Sequence, residues 1–366
     1  MDNVKKRAPK STEHARLEDS SPDTPGNWKA IGPYISERAW GTVREDYSAD
    51  GEAWQYFPYE HARSRAYRWN EDGLAGLCDR DQRLCFALAF WNGRDPFLKE
   101  RIFGLGGPEG NHGEDAKEYW WYIDATPTSS WLRWRYHYPH AEFPYQRLRQ
   151  ESARRTREQP EFELLDTGVF DGDRYWQITA DYAKAAPDDV LIRITARNAG
   201  PEPAELHILP TLCFRNRWSW DDGVPKPDIR DVSNETGSMV IAEDEKLGAW
   251  KLAAGPDPTG RPPSLLFCDN ETNVPKVFGG AASTPYPKDG VNDHVVNGAA
   301  TVNLERRGTK MACWHHITIG AGETAEIRLR LARDTPGRTI DLGEAFAQTQ
   351  ADRSREADEF YAALRP

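Results

Sequence analysis

The chain has 366 residues, a formal net charge of −11 and 14 tryptophans. A length of this order can bury a sizeable core as one large domain or two ordinary ones. The negative balance excludes a phosphate-backbone partner, so no nucleic acid is expected. No apolar run is long enough to cross a bilayer, so no membrane partner is expected either.

The opening residues are polar and lack the apolar core of a secretory signal. Cys78, Cys85, Cys213, Cys268 and Cys313 are odd in number and scattered, unlike a disulfide framework or a zinc site. Both features point to a soluble protein of a reduced cytoplasm.

In chain order, residues 1–32 are charged and poor in apolar side chains and read as a disordered tail. A β-rich domain is expected over 33–340. Leu84–Trp91 is a continuous apolar run that periodicity alone leaves open between a buried strand and a short buried helix. Glycine-rich Gly104–Gly113 reads as a loop, Glu118–Ile123 as a strand and Pro144–Gln159 as a helix with a solvated arginine face.

Beyond Phe162 strands dominate: Tyr175–Tyr182, Val190–Asn198, Glu205–Phe214, Ser238–Ala242, Ala249–Ala253 and Leu265–Cys268. Met311–Ile319 and Thr324–Leu331 close the series. The segments Asn198–Pro203 and Gly320–Glu323 between successive strands read as hairpin turns. Many short strands at such spacing predict a mainly β fold, a large antiparallel β-supersandwich with a few helices. From Asp341 the period turns helical, and Leu342, Phe346, Ala357, Phe360, Tyr361 and Leu364 can share one face. Residues 341–366 therefore read as a linker helix whose apolar face packs on something outside the chain.

The chemistry-bearing residues concentrate in Gly110–Thr128. Asn111, His112, Glu114 and Asp115 there precede the aromatic run Tyr119, Trp120, Trp121 and Tyr122. Carboxylates fixed beside flat apolar rings suit a ligand with both hydroxyls and C–H faces, and a sugar is such a ligand.

Acidic pairs recur at Glu45-Asp46, Glu71-Asp72, Glu114-Asp115 and Asp221-Asp222. Hydrolysis of a glycosidic bond needs two carboxyl groups on opposite sides of it, which adjacent residues do not supply. The bland reading of each pair is a solvated loop. His112 has no second histidine at ligand spacing, so no metal site is expected. His315 and His316, adjacent in a strand, face opposite ways. The Gly104–Gly110 loop lacks the Lys-Ser/Thr of a phosphate cradle. Trp218 and Trp220, followed by Asp221-Asp222, could present two indoles together if extended, although core packing is their commoner use.

Several segments resemble a known family: Glu37–Ser48 (ERAWGTVREDYS), Asn111–Tyr119 (NHGEDAKEY), Asp124–Thr128 (DATPT) and Phe162–Phe170 (FELLDTGVF). Asn273–Gly279 (NVPKVFG) and Tyr286–Val296 (YPKDGVNDHVV) belong with them. From about Gly32 onward the chain resembles bacterial members of glycoside hydrolase family 63, which includes the processing α-glucosidase of N-glycan maturation.

The resemblance implies an N-terminal β-supersandwich followed by an (α/α)6 barrel that carries both the acid and the base of an inverting α-glucosidase. Only the sandwich and the start of a connecting helix are matched, so no catalytic residue is carried over. Lys276-Val277 and Ser129-Ser130 depart from the Arg-Leu and His-Ser expected at those points.

The resulting expectation is a non-catalytic sandwich domain of a family 63-type enzyme, with no cofactor. Arg44, Glu45, Asp46, Asn111, His112, Glu114, Asp115, Trp218 and Trp220 would form one wall of an oligosaccharide pocket. The partner would be an (α/α)6 domain, in cis or from a neighbouring gene. The rival readings are a free-standing carbohydrate-binding or interaction module and a small sandwich enzyme using its own carboxylates.

Overall fold

The computed structural model describes residues 11–20, 26–34, 49–51, 53–67, 73–221, 223–235 and 237–364. The family-like segment Glu37–Ser48, with Arg44, Glu45 and Asp46, lies outside the described residues, as do Glu71, Asp72 and Asp222.

Alternation of apolar and polar residues builds two large antiparallel sheets whose inner faces meet. The six-stranded sheet runs in the order β1 (Ile31–Tyr34), β2 (Leu74–Asp79), β3 (Leu84–Trp91), β10 (Ala204–Phe214), β16 (Lys310–Ile319) and β14 (Ser264–Cys268).

The nine-stranded sheet begins with β15 (Arg307–Gly308), β11 (Asp228–Asp231), β12 (Ser238–Asp244), β13 (Gly248–Ala254) and β17 (Thr324–Arg333). It continues through β9 (Asp189–Asn198), β8 (Tyr175–Ala186), β7 (Trp131–Pro139) and the edge strand β6 (Trp120–Ala125). A short pair, β4 (Gly104–Leu105) and β5 (Asp115–Ala116), completes the sheets among the described residues. The expected mainly β antiparallel sandwich is the fold that forms.

The inner face explains the patterning. Every second residue of β7 (Leu132, Trp134, Tyr136, Tyr138) meets every second residue of β3 (Leu84, Phe86, Leu88, Phe90) in one continuous core. The β3 run is unbroken because its other face is covered too. Ala89 packs with Leu209, Leu266, Val291 and Val295 beneath helix Gly290–Asn297. A strand buried on both faces carries no polar alternation.

Both connections read as hairpin turns are crossings between the sheets. β9 lies in the large sheet and β10 in the small one; β16 lies in the small sheet and β17 in the large one. Local turn chemistry marks where a chain reverses, but not which sheet receives it. The two crossings brace each other through Asn198. Its Nδ2 donates to the Ile319 carbonyl at 2.9 Å, and its backbone N–H donates to the Glu323 carbonyl at 2.9 Å. Gly322, at φ +72°, reaches the left-handed conformation this corner needs.

The tail reading is corrected over part of its length. Thr12–Glu18 is a helix anchored by two charged residues rather than by apolar ones. Glu13 is fully buried and accepts from Thr128 N–H (2.9 Å), Thr128 Oγ1 (2.7 Å), Ser130 Oγ (2.7 Å) and Arg16 (3.3 Å). Arg16 also pairs with Glu356 at 2.6 Å. The Thr126–Ser130 loop thus presents its Thr128 and Ser130 hydroxyls to the N-terminal helix.

The linker-helix reading is corrected as well. Helix Glu344–Ala362 lies on the large sheet, with Phe346, Ala357 and Phe360 buried against the chain itself. Ala357 packs with Trp131 and Ala183, and Gln350 Nε2 donates to the Leu191 carbonyl at 3.1 Å. The ring of His14 lies 4.8 Å from that of Phe360. Tyr361, at 39% exposure, and Leu364, at 58%, are the parts of the apolar face left open.

Changing Glu13→Gln is expected to cost about 2–3 kcal/mol, because an amide NH2 would face donors it cannot accept from. A lower urea midpoint with faster tryptic cleavage at Arg16 would show this. An unchanged midpoint would mean that the helix is only loosely held.

Candidate functional site

Asn111, His112 and Asp115 all lean on the chain between 156 and 163. Asn111 Nδ2 donates to the carbonyls of Thr156 and Gln159, both at 3.0 Å, and His112 Nε2 lies 3.0 Å from the Gln159 carbonyl. These two residues hold a loop. Beside that loop Glu151, Arg154, Arg155, Gln159 and Pro160 line an open groove of about 540 Å³.

Asp115 belongs to a carboxylate trio built around one ammonium. Lys117, 2% exposed, donates to Asp115 and Glu161 at 2.6 Å and to Glu163 at 3.0 Å. The acids are more open than the lysine, with side chains 42%, 26% and 39% exposed. Asp115 and Lys117 share a face because they are two residues apart in extended chain. Glu161 and Glu163 repeat that spacing on the neighbouring segment.

The charge count explains the proton affinities. Burial raises the Asp115 carboxyl, with Lys117 pulling it back, and burial likewise raises Glu163. The Lys117 hydrogen bond lowers Glu161. Burial pulls the Lys117 ammonium down, but three carboxylates outweigh that and hold its pKa above the ordinary value. The carboxylate oxygens lie within 4.8 Å of one another, close enough to hold a metal ion, but the Lys117 ammonium already sits among them.

Directly after this cluster comes a ring of aromatics. Tyr119 and Trp121 lie nearly parallel with centroids 6.5 Å apart, and Trp121 meets His137 at 4.8 Å. His137 meets Tyr175 at 4.7 Å, Tyr175 meets Phe170 at 5.5 Å, and Phe170 returns to Tyr119 at 6.1 Å. Trp121 and Tyr122 remain 41% and 42% exposed on the edge strand. Tyr119 feels the charge of Glu163, so the acids and the Tyr119–Trp121 pair are neighbours on one surface, while Tyr122 faces the other way along the strand. That surface can accept hydrogen bonds from hydroxyls and offer an apolar face.

The expected strand Glu118–Ile123 begins two residues later, at Trp120, because Glu118 turns inward. Glu118 accepts from Lys99 at 2.7 Å, from the Phe103 N–H at 2.5 Å and from the Tyr136 hydroxyl, all buried. Glu114 is half-buried.

Trp218 and Trp220 part company. They sit in a turn rather than in extended chain, so the shared face expected at that spacing is absent. Trp218 packs on the core and donates through Nε1 to Glu271 at 2.9 Å, while Trp220 is 50% exposed. Glu271 also holds Lys226 at 2.7 Å. Asn111–Asp115 and Trp218 thus belong to different loop systems, one leaning on 156–163 and the other on Glu271.

The two departures from the family pattern both have local partners. Lys276 pairs with buried Asp289 at 3.1 Å, and Ser130 serves Glu13.

Sequence reasoning missed Lys117 as the centre of the acids and missed Glu161, Glu163, His137, Phe170 and Tyr175. The two-residue spacing of Asp115 and Lys117 was a usable signal. Nothing local announces acids more than 40 positions away.

Comparison with known proteins adds the following. No family model matches the chain. An uncharacterized protein of Saccharomyces cerevisiae is 38% identical over 377 aligned positions, covering 93% of this chain and 35% of the yeast protein. The chain thus spans about a third of the length of the curated relative it matches.

Among solved structures, a polysaccharide lyase overlaps 73% of this chain and 28% of its own, with TM-score 0.33 and 8% identity. A putative aldose 1-epimerase from Escherichia coli K12 overlaps 59% and 69%, with TM-score 0.26 and 9% identity. A galactose mutarotase related enzyme from Lactobacillus acidophilus overlaps 61% and 73%, with TM-score 0.25 and 6% identity. Likenesses this distant place the chain in none of those families. No described helix is long and apolar enough to cross a membrane.

Proposed function

We propose that this chain is a sugar-facing, non-catalytic β-sandwich domain of a longer hydrolase of the glycoside hydrolase family 63 type, an α-glucosidase acting on oligosaccharides. The observation that carries the reading is the Lys117-centred carboxylate trio beside half-buried Tyr119 and the exposed Trp121 ring stacked on it. Lys117 keeps the acids charged and fixed, so they serve as acceptors for sugar hydroxyls, and the rings supply stacking area. In this role the domain forms one wall of a pocket. A following (α/α)6 domain, in cis or from a neighbouring gene, supplies acid and base, roughly 6.5–9.5 Å apart for inversion. The sequence motifs quoted above support the family assignment, and a relative about three times as long is compatible with further domains.

The test uses the 366-residue chain with gluco-oligosaccharides. Tryptophan fluorescence should titrate on binding, and Trp121→Ala or Lys117→Met should weaken that response by about tenfold, the loss of one stacking or charge-assisted contact. Glucose release from α-glucosides should be absent. Release by this chain alone would mean that the catalytic groups lie within it. No fluorescence response to any gluco-oligosaccharide, alone or joined to the longer polypeptide, would remove the sugar-wall role.

One observation favours a second reading, a free-standing carbohydrate-binding module. Much of the apolar face of the last helix is already covered within the chain, while its outer side carries the Asp352–Arg355–Glu359 ion pairs. Equal affinity for oligosaccharide with and without the remainder of a longer protein would favour that module.

A further inference from the structure

The cysteines scattered in sequence are not scattered in the fold. Cys85 on β3 stands directly opposite Cys78 on β2 and directly opposite Cys213 on β10. The three side chains form their own buried cluster on the outer face of the small sheet, at 4%, 1% and 8% exposure for Cys78, Cys85 and Cys213. All are reduced thiols, and Cys85 Sγ lies 4.0 Å from the Gln82 carbonyl.

Directly opposed residues of antiparallel strands have Cα atoms about 4.5 or 5.5 Å apart. That falls inside the roughly 4.4–6.8 Å range of disulfides, so the Cα spacing of directly opposed positions permits either bond to Cys85. Thiol–disulfide exchange proceeds by in-line attack of a thiolate on a sulfur, which expels the far sulfur. Three sulfurs in one row across three strands meet that requirement.

We propose that Cys213, Cys85 and Cys78 form a thiol–disulfide relay that takes a low-molecular-weight disulfide such as oxidised glutathione at Cys213 and stores the oxidation as a Cys78–Cys85 bond. The Cys213 thiolate attacks the small disulfide, forms a mixed disulfide and releases one reduced thiol. Cys85 then attacks the Cys213 sulfur, giving Cys85–Cys213 and releasing the second reduced thiol. Cys78 attacks the Cys85 sulfur, giving Cys78–Cys85 and returning Cys213 as a thiol. Two protein thiols are oxidised and one small disulfide is reduced to two thiols, each attacking thiol's proton passing through solvent to a departing thiolate. Burial, reinforced by the neighbouring Cys78, pushes the Cys85 thiol well above its ordinary value, so the relay runs slowly, over minutes to hours.

The experiment incubates the folded chain with oxidised glutathione, blocks remaining thiols with an alkylating agent and maps the peptides by mass spectrometry. The expected product has lost two hydrogens, about 2 Da, with Cys78 linked to Cys85 and no glutathione retained. A Cys85–Cys213 link should precede it in the time course. Cys78→Ala should trap that earlier link, and Cys213→Ala should slow the final bond by about tenfold. Glutathione that stays on Cys213, or no internal bond after about a day while the urea-unfolded chain reacts, would overturn the proposal. Should a variant fail to fold by circular dichroism, the order of links in the unsubstituted chain decides. A Cys78–Cys85 bond forming first excludes the relay.

Discussion

Changing Lys99→Met is expected to destabilise the protein by about 3–5 kcal/mol, the largest single effect of the substitutions considered, because it strands a buried carboxylate. Lys99 is fully buried and donates to Glu118 at 2.7 Å. Its ammonium also lies over the rings of Phe143, Tyr145 and Tyr59, at 4.1, 4.8 and 4.9 Å from their centroids.

Burial alone pulls the Lys99 pKa down, but Glu118, Tyr59 and Asp95 outweigh it and the ammonium stays charged. The Asp95 carboxylate sits beside this pair, taking the Tyr138 hydroxyl at 2.6 Å and the Phe143 N–H at 2.7 Å. The group locks the outer aromatic core of Tyr59, Phe103, Phe143 and Tyr145 onto the strand that carries Tyr136 and Tyr138.

Urea denaturation checks the value, and a double variant, Lys99→Met with Glu118→Leu, checks the cause. Removing both charges should recover more than half of the loss, because no unpaired charge remains buried. A double variant as weak as the single one would assign the effect to packing around the rings rather than to charge.

The second large effect is a loss of stability in mild acid. Burial lowers the pKa of His315 from 6.5 to about 4, with Arg261 adding to it and Asp257 opposing; burial and then His316 lower that of His207 to about 3. Their exposures are 2% and 5%, so solvent screens neither. His315 points into the sandwich with both ring nitrogens buried and without hydrogen-bond partners, a site that tolerates only the neutral ring. His207 accepts from the Trp314 indole at 2.9 Å through Nδ1, which also requires an unprotonated nitrogen there.

A base whose folded pKa is depressed binds fewer protons folded than unfolded between the two values. The stabilisation is therefore complete above pH 6.5, falls as pH drops below it, and stops falling below about pH 4 for His315 and about pH 3 for His207. The full loss is about 3 kcal/mol for His315 alone. Raised carboxyls such as Asp95 act in the opposite sense as they take up protons, so the comparison must be made within one site. Unfolding free energies from urea titrations at pH 7.5 and 4.5 should diverge by about 2–3 kcal/mol less in His315→Leu than in the unsubstituted chain. Equal divergence in both would show that His315 titrates freely.

The strands were legible because their signal is local. The alternation in Val190–Asn198 and Thr324–Leu331 states which residues face inward, and the structure places Ile192, Ile194, Ile327 and Leu329 in the core. The aromatic and acidic character of Gly110–Thr128 was equally plain. The role of its members was not: Asn111 and His112 brace a loop, Asp115 shares Lys117 with Glu161 and Glu163, and Glu118 is the buried partner of Lys99. Adjacent letters of one motif went to different layers because successive residues of an extended chain point in opposite directions.

By itself the sequence determined the β class, the places where the chain turns and the inner face of its long strands, since each follows from side-chain periodicity over a few residues. Only the tertiary structure decided that the Asn198–Pro203 and Gly320–Glu323 turns cross between sheets, because periodicity names a face and not a neighbour. It likewise decided that a polar N-terminal stretch folds, since Glu13 and Arg16 find their partners at Thr128, Ser130 and Glu356. The row of three thiols belongs to the same class. It exists only because strand register sets Cys78, Cys85 and Cys213 side by side, and register follows from packing of the whole inner face.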